Sequence, residues 1–360
     1  MLRGPLGRRF GVTAAILGVV VGLTGCGSSD DDAAGGTDDV TVALTAPSWS
    51  TETAVFLLAD RLGYFEQEGL SVEFNLAKSG TEAVQQLIGG NADVAVATGE
   101  PIVIAAQQQT EVQYFMPNYG HFIYELRALD GSGIETVEDL VGKRIGLTNT
   151  NSTGATIVRT ALRNAGLQES DVTLVPIGVG AQLVTAVQNG DVDALALFDT
   201  LYLTLESQGI ETSVIPVPEI EGLFGGGLAA LAEDLEDDPD LYARFGRAVA
   251  KGLAWARLHP EEAVREEWEA LPELRPGTGQ DEATVLATQV TYINNRLNFL
   301  IPDPESTDWT TMDEESMSRF ISWAADSELI TEEPSVDAVL TNSLADQIGD
   351  FEPTELEPTS

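Results

Sequence analysis

A strand that passes through a short polar turn into a helix is the unit that most restricts this chain, and residues 136–166, TVEDLVGKRIGLTNTNSTGATIVRTALRNAG, show it in full. Thr136 and Asp139 stand at capping-box spacing, so a short helix is expected to start there. It should stop at Gly142, where glycine takes up the left-handed conformation. Residues 143–148 read as a strand. Six small residues follow, and Ile157, Val158, Ala161 and Leu162 then share one helical face as far as Gly166. At a helix start the first backbone N–H groups lack partners and the macrodipole is positive. Asn149, Asn151, Ser152, Thr153 and Gly154 are therefore a candidate cradle for a polar or anionic ligand group. Simple capping of the helix by Ser152 or Asn151 accounts for the same residues.

The N-terminus reads as an export address. Arg3, Arg8 and Arg9 precede an uncharged stretch, residues 10–25, too short to span a membrane and followed at once by a cleavage-type sequence, so residues 1–25 are expected to be a signal peptide. Leu23-Thr24-Gly25-Cys26 resembles the lipobox of bacterial lipoproteins, in which the cysteine is acylated and becomes the mature N-terminus. Cys26 is the only cysteine, so no intrachain disulfide can form and lipidation is its expected fate. Arg8-Arg9-Phe10 partly resembles a twin-arginine signal. Residues 26–39, small and acidic, read as a disordered tether. The folded part is thus expected outside the cytoplasm, lipid-anchored at the outer face of the bacterial cell membrane. Without the three leader arginines, 15 basic residues face 58 acidic ones, a formal charge of −43. That balance disfavours nucleic acid and anionic lipid as partners. With Lys78, Lys143 and Lys251 as the only lysines, it resembles adaptation to high salt.

The remainder is long enough for two domains. Residues 40–46 alternate as a strand, and a helix follows with Val55, Leu58 and Leu62 on one face, closed by Gly63. Tyr64 and Phe65 then pack on a core before a strand at residues 71–76. Residues 81–88 read as a helix and 93–97 as a buried strand. The second half of a long apolar run, residues 121–129, reads as a strand crossing to another lobe. Beyond the unit at residues 136–166 come a strand at 172–177, a helix at 181–187, a strand at 194–198, a helix at 199–205 and a strand at 214–217. Residues 223–230, with Gly225, Gly226 and Gly227, read as the return crossing, a bulged and closely packed strand in preference to a hinge. Helices take over from Asp238, notably near residues 281–298 and 313–327. Residues 351–360 read as a disordered acidic tail.

Several local patterns resemble one family. Gly63-Tyr64-Phe65-Glu66-Gln67-Glu68-Gly69-Leu70 resembles the GYF-x-x-x-GL segment of the nitrate/sulfonate/taurine/thiamine-precursor family of ABC-transporter solute-binding proteins. Gly90-Asn91-Ala92-Asp93-Val94-Ala95 resembles that family's G-x-x-D-V/A-A element, and Gly190-Asp191-Val192-Asp193-Ala194 repeats it. His259-Pro260-Glu261-Glu262-Ala263 resembles its (N/H)PEEA helix start. The resemblance implies an α/β, type II periplasmic-binding-protein fold with two lobes joined by two crossover strands and C-terminal helices packed on lobe 1. Lobe 1 would hold residues 40–128 and 223–350, and lobe 2 residues 129–222. Ligand would lie in the cleft at the carboxyl ends of the strands, where open α/β sheets generally bind.

The residues expected at those strand ends are Ser48, Trp49 and Ser50, then Thr98, Gly99 and Glu100, then Asn118 and Tyr119. The second lobe adds Asn149, Asn151, Ser152, Thr153, Gly154, Asp199 and Tyr202, with Gly178 and Gly180 nearby. Trp49 is placed either to stack on a planar ligand or to anchor its loop on the core. Two carboxylates, Glu100 and Asp199, favour an amine-bearing ligand over a bare anion, although either can instead serve a helix start. A planar amino compound such as a thiamine-precursor pyrimidine suits Trp49, Tyr119, Glu100 and Asp199. A sulfonate or carboxylate suits the 151–154 helix start, with only Arg127 and Lys78 as cations near strand ends. The expected function is a monomeric receptor of an ABC importer that captures a small polar or heteroaromatic solute and delivers it to the permease. A ligand-sensing lipoprotein is the alternative. An enzyme resembling the thiamine-pyrimidine synthases among the relatives is a weaker one, because that pattern uses a cysteine-rich motif and this chain has Cys26 alone. No metal or cofactor spacing is present.

Overall fold

The computed structural model describes residues 37–46 and 48–357; the expected signal peptide, Cys26 and the expected tether up to residue 36 lie outside them. The first run of elements is β1 (Asp38–Thr45), α1 (Thr51–Arg61), α2 (Tyr64–Gln67), β2 (Leu70–Ala77), α3 (Gly80–Ile88), β3 (Val94–Ala97), α4 (Gly99–Gln107) and β4 (Val112–Pro117). The second is β5 (Tyr124–Leu129), β6 (Arg144–Leu147), α5 (Thr153–Asn164), β7 (Thr173–Pro176), α6 (Ala181–Gln188), β8 (Ala194–Phe198), α7 (Asp199–Ser207) and β9 (Thr212–Val214). The chain returns through β10 (Gly227–Leu231) and ends in helices α8 (Ala232–Asp237), α9 (Pro239–Leu258), α10 (Pro260–Ala270), α11 (Glu282–Leu300), α12 (Glu314–Asp326) and α13 (Ala345–Ile348).

Two five-stranded sheets result, ordered β2-β1-β3-β10-β4 and β7-β6-β8-β5-β9. The orders correspond place for place. In each, three parallel strands are followed by an antiparallel strand that has arrived from the other run, and then by an edge strand antiparallel to it. This is the type II periplasmic-binding-protein architecture, with two lobes of mixed sheet and helix.

The repeated glycine–aspartate element builds both sheets the same way. Gly90 and Gly190 end their helices at φ 67° and 71°, in the region glycine occupies without strain. Three residues on, Asp93 Oδ2 accepts the Thr41 amide (2.7 Å) and Asp193 Oδ2 accepts the Arg144 amide (2.9 Å). Each aspartate's own N–H donates to the carbonyl of that same neighbour, at 2.8 Å in both lobes. The side chain therefore continues the parallel ladder one rung beyond the point where the main chain alone could, which fixes register.

The GYF segment docks the first lobe on its C-terminal helices. Tyr64 and Phe65 are buried, and Phe65 stacks on Phe245 of α9 with centroids 5.7 Å apart and planes 9° apart. Glu68 receives Arg247 Nη2 and Lys251 Nζ, each at 2.7 Å, and its side chain is 9% exposed. Burial alone would raise the Glu68 carboxyl, but the hydrogen bonds from Arg247 and Lys251 outweigh it and hold the group below the ordinary carboxylate range. Helices α9, α10 and α11 all pack on α1, so the C-terminal helices lie on the first lobe.

Several boundaries differ from the sequence expectation: the strand expected over residues 214–217 is Thr212–Val214, and the return strand expected over 223–230 is Gly227–Leu231. Asp38 and Asp39, read as tether, already belong to β1: they pair with Leu70 and Ser71, and Asp38 Oδ2 holds Arg244 Nη2 at 2.8 Å. The outward crossing is no strand over residues 121–129. The chain leaves β4 at Pro117, crosses with bends at Asn118, Gly120 and His121, and Tyr124–Leu129 pairs with β8 and β9 in the second sheet. The segment from residue 351, read as tail, is held by Phe351, Pro353 and Leu356 against the first lobe; its acidity conceals three apolar anchors.

The return crossing does show the close packing its glycines suggested. A Cβ on Gly225 would stand 2.2 Å from the His121 carbonyl oxygen, and one on Gly227 would stand 2.3 Å from that of Met116. The β10–β4 register shifts between Leu228 and Ala229.

Glu68→Gln should lower stability at neutral pH by about 2 kcal/mol, because two cations lose a buried partner. Since the folded group titrates below its unfolded value, the wild-type advantage should be full above the ordinary carboxylate range and vanish as pH falls through the depressed value. Urea melts of both proteins across that range measure it. Glu267 of α10 behaves oppositely. It is fully buried with neither oxygen hydrogen-bonded, and burial, with Glu52 adding like charge, pushes its carboxyl well up. Its contribution is present at low pH and is lost as pH rises past the unfolded value. Glu267→Met should therefore stabilise the protein by about 1–3 kcal/mol at pH 7 and flatten its alkaline loss in the same melts.

Candidate functional site

The chain enters α4 and α7 directly from the carboxyl ends of β3 and β8, and enters α5 from β6 through the short polar turn; the starts of these three helices converge. Tyr124, at the head of β5, is the point of convergence. Burial pushes its hydroxyl far up, Glu100, Tyr119 and Asp199 add to the shift, and Thr153 at the α5 start opposes it. Four residues chosen from sequence, Glu100, Tyr119, Thr153 and Asp199, are therefore within electrostatic reach of one phenol. The sequence reading had taken Tyr124 only as part of a crossing strand.

Glu100 is the sharpest feature. It occupies the first turn of α4, where the helix dipole suits an acid, yet both carboxylate oxygens are enclosed without a hydrogen-bond partner. Tyr114 cannot serve it, since its hydroxyl donates to the Thr98 carbonyl at 2.6 Å and thereby sets the β3–α4 turn. An enclosed acceptor left without a donor costs several kcal/mol.

Asp199 is committed within the chain. Oδ1 holds Arg296 Nη2 at 3.0 Å and accepts the Thr200 amide at 2.9 Å, while Oδ2 accepts Asn295 Nδ2 at 3.1 Å. The Arg296 guanidinium also lies 4.6 Å from the centre of the Tyr119 ring. Arg296 comes from α11, 97 positions away, and neither strand-end reasoning nor periodicity could single it out. The expected pair of free carboxylates reduces to one.

Other expected site residues have structural duties. Trp49 is half-buried and set edge-on to Phe74 (6.2 Å, 75°), the loop-anchor role. Ser48 is exposed, and Ser50 caps α1 through a reciprocal bond with Thr53 (3.0 Å). Thr98 stands at the N-cap position of α4. Gly99 and Gly154 are dictated by packing: a Cβ would meet the Phe320 ring at 2.5 Å in the first case and the Ala196 carbonyl at 2.1 Å in the second. Asn118 is buried, its amide donating to Gly226 (3.2 Å). Asn149 Oδ1 accepts the Asn151 amide at 2.9 Å, and the Ser152 hydroxyl donates to the Asn149 carbonyl at 2.8 Å while accepting from Ala155, so this turn caps its own helix. Gly178 and Gly180 shape the turn before α6 with positive φ. Tyr202 is a core residue. It is 1% exposed, and its hydroxyl donates to the Glu125 and Leu195 carbonyls and accepts the Leu197 amide, with Arg127 stacked on the ring at 4.4 Å. Among the described residues no group of His, Cys, Asp and Glu is arranged to hold a metal ion.

The chain is similar to the riboflavin-binding protein RibY of Chloroflexus aurantiacus, with 26% identity over 246 residues, 68% of this chain and 70% of that protein. It is also similar to the formylaminopyrimidine-binding protein of Halalkalibacterium halodurans, with 24% identity over 305 residues, 82% of this chain and 86% of the relative. In three dimensions it is similar to the periplasmic aliphatic sulphonate binding protein SsuA of Escherichia coli, at a TM-score of 0.62 and 18% identity, over 86% of this chain and 99% of that one. The profile described as NMT1/THI5 like matches residues 50–263, more than half of the sequence, and the chain belongs to that family.

Proposed function

We propose that this protein is the extracytoplasmic solute-binding receptor of an ABC importer, and that Glu100 fixes which solutes it takes. Glu100 carries the reading. It is a buried acceptor that the chain leaves without a donor, within electrostatic reach of the Tyr124 phenol, as Tyr119 also is. A solute with N–H groups supplies what Glu100 lacks, and an aromatic one lies against those rings at little cost in hydration. A sulfonate or nitrate placed there brings acceptors to an acceptor. The relatives named for riboflavin and formylaminopyrimidine agree with an amino-bearing heteroaromatic ligand. Likeness to the sulphonate-binding structure supports the architecture alone.

Binding without catalysis fits the two histidines. His121 packs on Phe299 with centroids 4.1 Å apart and planes tilted by 51°, and burial lowers its pKa. His259 ends α9 and opens α10, with its ring 5.1 Å from Trp255. His121 lies within electrostatic reach of Asp199 and Arg296 with its Nδ1 enclosed and unpartnered, whereas His259 stands apart between two helices of the first lobe. Lipidation of Cys26, a monomeric state and docking on a permease complete the proposal, with the folded part held at the outer membrane face.

Melting shifts against formylaminopyrimidine, other aminopyrimidines, riboflavin, taurine and nitrate test it. A ligand at about 100 times its Kd adds about 2.7 kcal/mol. Shifts should appear for amino-heterocycles and be absent for taurine and nitrate; the reverse pattern overturns the role given to Glu100. Glu100→Gln should weaken the heterocycle that binds by about tenfold or more, a loss of about 1.4 kcal/mol. Without ligand the same variant should melt no lower than wild type, because the side chain it replaces has no partner in the chain to lose.

A further inference from the structure

Helix α11 carries two stripes with different destinations. Ile293, Leu297 and Leu300, at helical spacing, are buried in the core of the first lobe. Tyr292, Asn295, Arg296 and Phe299, also at three- and four-residue spacing, face away from that core. Phe299 packs on the outward crossing at His121, and a Cβ on Gly120 would stand 1.9 Å from the Phe299 carbonyl oxygen. The other three reach α7 of the second lobe: Arg296 and Asn295 hold Asp199, and the Tyr292 hydroxyl lies 3.3 Å from Thr204 Oγ1. Arg296 and Asp199 are each only 11% exposed.

We propose that α11 is an interlobe clasp, fixed to the first lobe by its apolar stripe and released from the second by separation of Arg296 from Asp199. The chemistry of the two flanks supports this. Around the crossings the lobes are joined by apolar side chains, Phe122 packing on both Phe320 and Trp323 of α12. Parting those would expose hydrocarbon to water. Across α11 and α7 the polar contacts are an ion pair, an amide and two hydroxyls, groups that water solvates well. Desolvation offsets most of the attraction in such a pair, so its net contribution to closure is small. A small net energy between two rigid bodies is what permits a reversible opening biased by a bound solute. Arg296 also touches Tyr119, which ties the clasp to the crossing residue nearest the proposed ligand.

The inference rests on the receptor reading only in taking the lobes to move, and its test needs no solute. Spin labels at Ser71→Cys and Thr173→Cys, exposed positions on the edge strands β2 and β7, report the distance between lobes in the full chain carrying Cys26→Ser. Arg296→Met and Asp199→Asn should each enlarge the longer-distance population relative to the shorter by about tenfold or more. The double variant should do no more than either single one, because both remove the same contact. Asn295→Ala should give a smaller shift in the same direction, and serves if a charge variant fails to fold. Arg61→Met, which breaks an exposed pair with Glu266 inside the first lobe, should leave the distances unchanged. Distances that stay as in the parent in Arg296→Met, Asp199→Asn and Asn295→Ala alike, with lowered melting temperatures, would make the pair a static brace and overturn the clasp.

Discussion

The two crossings lie main chain against main chain, and that contact is the constraint on which the two-lobed arrangement depends. The Gly226 carbonyl accepts the amides of both Asn118 and Tyr119, at 3.2 and 3.4 Å. A Cβ at Gly226 would stand 2.5 Å from the Ala97 carbonyl, and its φ of 133° is one that other residues rarely adopt. The end of β3, the outward crossing and the return crossing thus meet at one residue without a side chain. Separation by even a methyl group would displace Thr98 and the α4 start on one side and Tyr119 on the other. Glu100 and the Tyr119 ring would move with them, so the geometry of the site is set by backbone contact several residues away.

Much of this was legible because local rules and global fold agree. The G-x-x-D elements at Gly90 and Gly190 looked alike in sequence and prove to do the same physical task, each aspartate extending a parallel ladder. The glycine run of residues 225–227 signalled close backbone approach because no other residue fits there. Strand-to-helix turns marked the ends at which Glu100, Thr153 and Asp199 sit.

What was not legible depends on partners remote in sequence. Asp199 looked like a free acid at a strand end because nothing nearby announces Arg296. The helix that brings Arg296 reads as ordinary amphipathic sequence, and only the packing of α11 across the crossing reveals that its second stripe has a use. Tyr202 is the opposite case. It stands one turn into α7, close to the site in sequence, but the helix points it back beneath β8, where three main-chain groups take its hydroxyl. Proximity along the chain identifies the elements at a site better than it identifies which of their side chains face it.

The extreme acidity and the single enclosed acid at the site act over different ranges. With 58 acidic residues in the sequence, the surface field disfavours anions on approach, but at about 1 M salt the Debye length is only about 3 Å, and exposed charges cease to act beyond contact. Glu100 is not screened in this way, because both its oxygens are enclosed. In a saline habitat, then, the surface acids act on hydration and solubility. Under the receptor reading proposed above, discrimination among solutes falls to Glu100, because the Tyr114 hydroxyl is committed to the Thr98 carbonyl and Asp199 to Arg296, while both Glu100 oxygens are left without a partner in the chain.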